Sequence, residues 1–310
     1  QTLPATHMPK RSRTAAASTT TSSSSAPLTL HGGHAQPPRT VDKFREGKLC
    51  DVQCEAADGT AFAAHVLCLT AGSAYFEALY SEDSAWSDAN RGTISLPKLP
   101  AHALATCLEF IYTGSASLAD IMELPEVLEA AAYLQMPELQ DAAASALTQQ
   151  LAPSTALQTW EMADRLGLAS LSTAAAACAA RHFDAVVATE AWPRAPLQCV
   201  RHLLGANRLV VGGGGEVNVY EAAIAWLRAQ APPLGADESA TLLGLVRFPL
   251  LPRDFYHGTV RAEPLLRTPA GLLALNESLA ASAFGDGVQR RIGFERLYAI
   301  GGEGDTGSYS

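Results

Sequence analysis

The chain has 310 residues, enough for about two domains. Apolar residues make up 48% and charged residues 17%, which excludes a wholly disordered chain. A net charge of −9 argues against a general phosphate-backbone binder, and no apolar run approaches the roughly 18 residues of a membrane-spanning helix.

Residues 1–40 form a leader of distinct composition. Thirteen of the first 30 residues are Ser or Thr, and no acidic residue precedes Asp42. Such a segment buries too little apolar surface to offset chain entropy, so it is read as disordered. A transit peptide is the other reading of the same composition, and Gln1 at the start leaves the true N-terminus open. His31 and His34 supply only half a metal site.

Residues 41–150 read as a small α+β domain. Asp51 to Ala56 alternates polar and apolar residues, as in a half-buried strand. Asp58-Gly59 supplies a hairpin turn, and Thr60 to Ala63 the return strand. Ser73 can cap a helix carrying Phe76, Leu79 and Tyr80 on one face. An acidic loop, Ser81 to Asn90, contains a single tryptophan, Trp86, either folded into the core or exposed as a partner anchor. Thr93 to Leu96 is a short strand. Helices follow from Pro100, Pro125 and Pro137, the first ended by Thr113-Gly114.

From Pro153 the pattern is helical, with Ser154 as the expected first cap and Gly167 as a stop. Leu168 to Phe183 is alanine-rich. Tyr220, Ala223, Ile224 and Leu227 repeat at helical spacing. Residues 151–265 therefore read as an all-α domain of antiparallel hairpins. Residues 266–290 read as a linker, and 291–310 as the start of a β segment through Arg296 to Ile300.

No catalytic constellation emerges. Gly212 to Gly215 lacks the Lys-Ser/Thr of a phosphate loop and reads as a flexible interhelical loop. The histidines are scattered singly. Cys50 and Cys54 form a C-x3-C spacing, but no second Cys or His pair follows at zinc spacing, and the six cysteines read as reduced, mostly buried thiols of a nuclear or cytoplasmic protein. No cofactor, metal, nucleic acid or membrane is expected as a partner; binding to proteins is.

Several stretches carry a family resemblance. Asp51-Val52, Phe62-x-x-His65, Ser73-x-Tyr75-Phe76-x-Ala78-Leu79-Tyr80 and Leu108-x-Phe110-x-Tyr112-Thr113-Gly114 resemble a BTB (POZ) domain in order and spacing. Ala163-Asp164-Arg165-x-Gly167-Leu168, Val219-Tyr220-Glu221-Ala222-x-x-x-Trp226-Leu227 and Val246-Arg247-Phe248-Pro249-Leu250-Leu251-Pro252 resemble a BACK domain. Leu297, Tyr298, Ile300, Gly301 and Gly302 look like the opening strand of a Kelch repeat, so the chain resembles a BTB-BACK-Kelch protein cut as its propeller begins.

That resemblance implies a substrate adaptor of a cullin-3 ubiquitin ligase rather than an enzyme. It implies a BTB homodimer that binds cullin-3, and a BACK domain that positions a substrate-holding propeller. Leu79, Tyr80, Trp86, Asp88 and Tyr112 match the cullin-facing positions, with Asp88 standing where the family motif has Glu. Phe44, Leu49, Asp51, His65 and Ser73 match the dimer and groove positions. The alternative is a BTB oligomerisation scaffold, transcriptional or cytoskeletal, without ligase function. The substrate is left unnamed.

Overall fold

The computed structural model describes residues 28–81, 92–118, 120–283 and 292–293. The first part runs β1 (Leu28–His31), α1 (Pro38–Arg45), β2 (Val52–Glu55), β3 (Ala61–Ala64), α2 (Val66–Gly72), α3 (Ala74–Leu79), β4 (Thr93–Ser95), α4 (Ala101–Thr113), β5 (Ser115–Leu118), a 3₁₀ turn at Ile121–Glu123, α5 (Leu124–Tyr133) and α6 (Pro137–Gln149). The order of the main sheet is β3-β2-β4, with β2 antiparallel to β3 and parallel to β4. Its hairpin turns where expected: Asp58 Oδ1 accepts the Thr60 N–H at 2.9 Å, and Gly59 adopts φ +83°.

Order begins earlier than the leader composition implies. Leu28 to His31 pairs antiparallel with β5, and Leu30 is buried. The Gly33 N–H then donates to Gly114 O at 3.1 Å, and the Gln36 N–H to Tyr112 O at 2.8 Å. Gly114, at φ +68°, ends α4 in the left-handed conformation, and a Cβ there would collide with the Gly33 carbonyl. The disordered reading of 1–40 is therefore corrected for its last third. Two leucines alternating with Thr29 and His31 suffice once β5 offers a partner edge.

The second part runs α7 (Ala156–Arg165), α8 (Ala169–Arg181), α9 (Phe183–Val187), a 3₁₀ turn at Trp192–Arg194, α10 (Leu197–Gly205), β6 (Val210–Val211), α11 (Glu216–Ala229), α12 (Ala236–Leu243), 3₁₀ turns around α13 (Arg253–Gly258), then α14 (Pro269–Ala283) and β7 (Ile292–Gly293). Thr155, not Ser154, occupies the cap of α7, its hydroxyl bonded to the Ala152 backbone. The stretch read as a linker holds α14, which packs along α12. Its apolar residues wrap the helix instead of forming one stripe, so no clean period advertised it. β6 and β7 pair in parallel, tying residues 292–293 to the helical part.

Two apolar cores result, and α7 joins them. Met162 and Ala163 belong to the first core, and Leu157 and Trp160 to the second. Two indoles lock the second core: Trp192 donates to Ala222 O at 3.1 Å, and Trp226 donates to Ala195 O at 3.0 Å. The Gly212 to Gly215 loop is not free. Its first N–H donates to Asp184 at 2.6 Å, and Gly215 N–H donates back to Gly212 O at 2.8 Å.

All six cysteines are free thiols, and Cys54, Cys68, Cys107 and Cys199 are buried. Burial pushes Cys54 and Cys107 from 9.0 up to about 12. The folded chain then keeps protons that the unfolded chain releases. This contribution to stability is complete below the unfolded value and is lost as pH rises toward the folded one. The urea midpoint is expected to hold roughly constant up to about pH 9 and to fall above it, with a shallower fall in Cys107→Ala. A midpoint that stays flat through the alkaline range contradicts this.

Candidate functional site

Four of the five expected dimer and groove residues, Phe44, Leu49, Asp51 and His65, converge on one ridge. The segment before β2 folds against the start of α2. Asp51 Oδ1 accepts the Val66 N–H at 2.8 Å, which caps α2. The Tyr112 hydroxyl accepts the His65 N–H at 2.8 Å and lies 2.8 Å from His65 Nδ1. His65 Nε2 lies 3.2 Å from Lys48 O. These contacts close with Nε2–H donating to Lys48 and Nδ1 accepting from Tyr112. Phe44 of α1 stacks on the Tyr112 ring, with centroids 3.9 Å apart and planes 8° from parallel. Burial raises the Tyr112 phenol well above the usual tyrosine range.

Leucines flank this tied joint on the outside. Leu49 is 82% exposed and Leu67 is 79% exposed. Leu49 also adopts φ +61°, a conformation that a branched apolar residue disfavours. Among the described residues nothing accounts for two bare leucines here. Leu67 was not singled out in the sequence, where it sits inside the apolar run Val66 to Leu69.

Ser73 stands apart from the ridge. It is buried, donates to Leu134 O at 2.6 Å and accepts the Phe76 N–H at 3.4 Å. It caps α3 and ties that helix to the end of α5.

The expected cullin residues divide. Leu79 and Tyr112 lie in the interior, because α3 and α4 turn those side chains into the first core. Tyr112 packs with Phe44 and His65. Tyr80 is half-buried, its phenol raised by burial and then by the nearby Cys54 and Asp51. Trp86 and Asp88 lie outside the described residues, as do Leu297, Tyr298, Ile300, Gly301 and Gly302.

A groove at the junction of the two parts was not anticipated. It encloses about 380 Å³ between the 3₁₀ turn and α7, lined by Ile121, Met122, Leu147 and Met162. Asp120 fixes the turn by accepting the Met122 N–H at 2.9 Å, and Met122 is left 68% exposed. The sequence signal was slight: an Ile-Met pair in an otherwise acidic turn.

In the helical part the Val246 to Pro252 segment is anchored by a buried carboxylate. Glu216 accepts the Arg247 N–H at 2.7 Å, and the Arg247 guanidinium donates to Asn207 at 2.6 Å. Among the described residues no cluster of three or more His, Cys, Asp or Glu could hold a metal, and no helix is long and apolar enough to cross a membrane.

Family models place these features. The BTB/POZ domain matches residues 41–151, and the domain described as BTB And C-terminal Kelch (BACK) matches residues 156–261. Kelch-like protein 21 of Bos taurus is 35% identical over 234 residues, 75% of this chain and 38% of that protein. The chain belongs to the Kelch-like BTB-BACK family. Kelch-like protein 34 of Homo sapiens is 36% identical over 214 residues, covering 67% of this Kelch-like chain and 32% of the relative. Kelch-like protein 3 of Mus musculus is 31% identical over 242 residues, covering 77% and 40%. This chain thus spans about two fifths, or less, of the relatives' length. Among solved structures, the BTB domain of zebrafish PATZ1 is similar over 36% of this chain and 86% of its own, at 21% identity and a TM-score of 0.31.

Proposed function

We propose that this Kelch-like chain is the dimerising, cullin-binding part of a substrate adaptor for a cullin-3 RING ubiquitin ligase. The observation that carries the reading is the tandem BTB and BACK match, in an order shared with Kelch-like relatives over three quarters of the chain. The chain performs no bond chemistry. Its contribution is proximity: a substrate held near the charged enzyme meets it as a neighbour rather than by diffusion. A dimer presents two substrate arms and gains avidity.

Each surface has a proposed task. The Leu49 and Leu67 ridge meets a second copy of the chain. Tyr80, the Trp86 to Asp88 stretch and the Met122 groove face the cullin. Substrate is held by the family's propeller, and the BACK helices set its position.

The groove provides the test. Met122→Glu changes an exposed side chain, so fold and dimer are expected to persist. Binding to the cullin-3 N-terminal region, read by calorimetry on the full chain, is expected to weaken at least about tenfold, or 1.4 kcal/mol. Unchanged affinity removes the groove from the interface. Absence of binding by the wild-type dimer removes the adaptor reading itself.

A further inference from the structure

A second cleft lies in the helical part, away from the ridge and the junction groove. It encloses about 830 Å³ between α7, α8 and α10. That volume lies in the range of ligand-binding clefts. The floor is apolar: Trp160, Cys199 and the outer alanines Ala176 and Ala180. Trp160 meets His202 edge-on, with centroids 5.2 Å apart. The short α8 side chains let an incoming apolar group approach the helix backbone.

One end of the cleft is cationic. Arg181 closes α8, and Arg208 sits in the turn before β6. Arg165 and Arg228 pair with Glu129 and Glu263, but Arg181 and Arg208 form no ion pair among the described residues. Acidic groups around the cleft are Asp164, bound to the Ser172 hydroxyl at 2.5 Å, and Glu161, both on α7. Asp184 on α9 is engaged by Gly212 and Asn218. The cleft is therefore polarised, acidic along α7 and basic at the Arg181 and Arg208 end.

We propose that this cleft docks a short acidic segment of a partner protein, with its carboxylates on Arg181 and Arg208 and a neighbouring apolar side chain against Trp160. Charge complementarity decides the chemistry. The chain carries −9 overall, so it repels an acidic segment generally, and two arginines facing one cleft make a local exception. Guanidinium groups also hold carboxylates bidentately, which adds direction to the attraction. The proposal does not depend on cullin binding or on the dimer.

The probe is a phage-displayed library of random peptides about twelve residues long, selected on the full chain and, in parallel, on the double variant Arg181→Glu, Arg208→Glu. Wild type is expected to enrich sequences with adjacent Asp or Glu beside an apolar residue. A fluorescein-labelled peptide from that pool should bind the double variant at least tenfold more weakly, and Arg181→Lys, Arg208→Lys should fall between. Ala177→Trp, which fills the exposed wall of α8 without changing charge, should also block binding. It decides the matter if charge reversal disturbs folding. Enrichment of the same sequences by both proteins, of non-acidic sequences by wild type, or of none at all overturns the proposal.

Discussion

Replacing both Leu49 and Leu67 by Asp is expected to convert the dimer to a folded monomer, read as a halved mass by sedimentation equilibrium. Both side chains are about four-fifths exposed within one chain, so the cost of removing them falls on the proposed interface. Each leucine withdrawn from water contributes about 1.5–3 kcal/mol, and two-fold symmetry counts each one twice. The substitution also adds charge to a patch that the proposed dimer would desolvate. The dimer constant is expected to weaken at least about a thousandfold, since each tenfold step is 1.4 kcal/mol. Local structure favours the variant. Asp tolerates the positive φ of Leu49 better than Leu does, and at Leu67 it enters the first turn of α2, where the helix dipole favours an anion. An unchanged dimer mass places the interface elsewhere.

The second large effect is in the helical core. Trp226→Ala removes a side chain that is only 2% exposed and leaves Ala195 O without its indole donor. Truncation of a buried tryptophan costs about 3–5 kcal/mol, part of it for the cavity left behind. Trp226→Phe keeps most of the volume and loses the hydrogen bond, so it should cost about 1–3 kcal/mol. Urea unfolding followed by circular dichroism checks both. The loss is expected in the helical part, because Trp226 packs wholly within the second core. Dimerisation through the ridge should survive. A loss below about 1 kcal/mol for Trp226→Ala would mean that the two indoles do not lock the core.

Legibility followed the physics of each element. α11 was readable because Tyr220, Ala223, Ile224 and Leu227 repeat at 3.6 residues per turn and all are buried. The β2–β3 hairpin was readable because Asp58-Gly59 carries its own turn chemistry. β1 was not, since a four-residue strand depends on β5, more than eighty residues later in the chain. α14 was hidden because its leucines wrap the helix.

The site followed the same logic. Asp51, His65 and Phe44 were placed together by resemblance; Phe44 and His65 both contact Tyr112, and Asp51 holds Val66, the residue after His65. Tyr112 and Leu79 were matched by motif, and a motif shows which residues recur, not which way they face. α4 is buried on nearly every side, so its period could not tell an inward Tyr112 from an outward one. The Met122 groove and the Arg181 cleft depend on helices from distant parts of the chain and leave no local pattern. Glu216 was not singled out, because the Arg247 N–H that it accepts lies 31 residues later in the chain.

The adaptor reading is tested most directly by titrating the full chain with the cullin-3 N-terminal region in a calorimeter, beside Trp86→Ala and Asp88→Ala. The expected result is submicromolar binding by wild type, and a loss of at least about 2 kcal/mol in Trp86→Ala while its dimer mass and melting temperature hold. A folded wild-type dimer that gives no heat with the cullin would contradict the adaptor reading and leave an oligomerisation scaffold in its place.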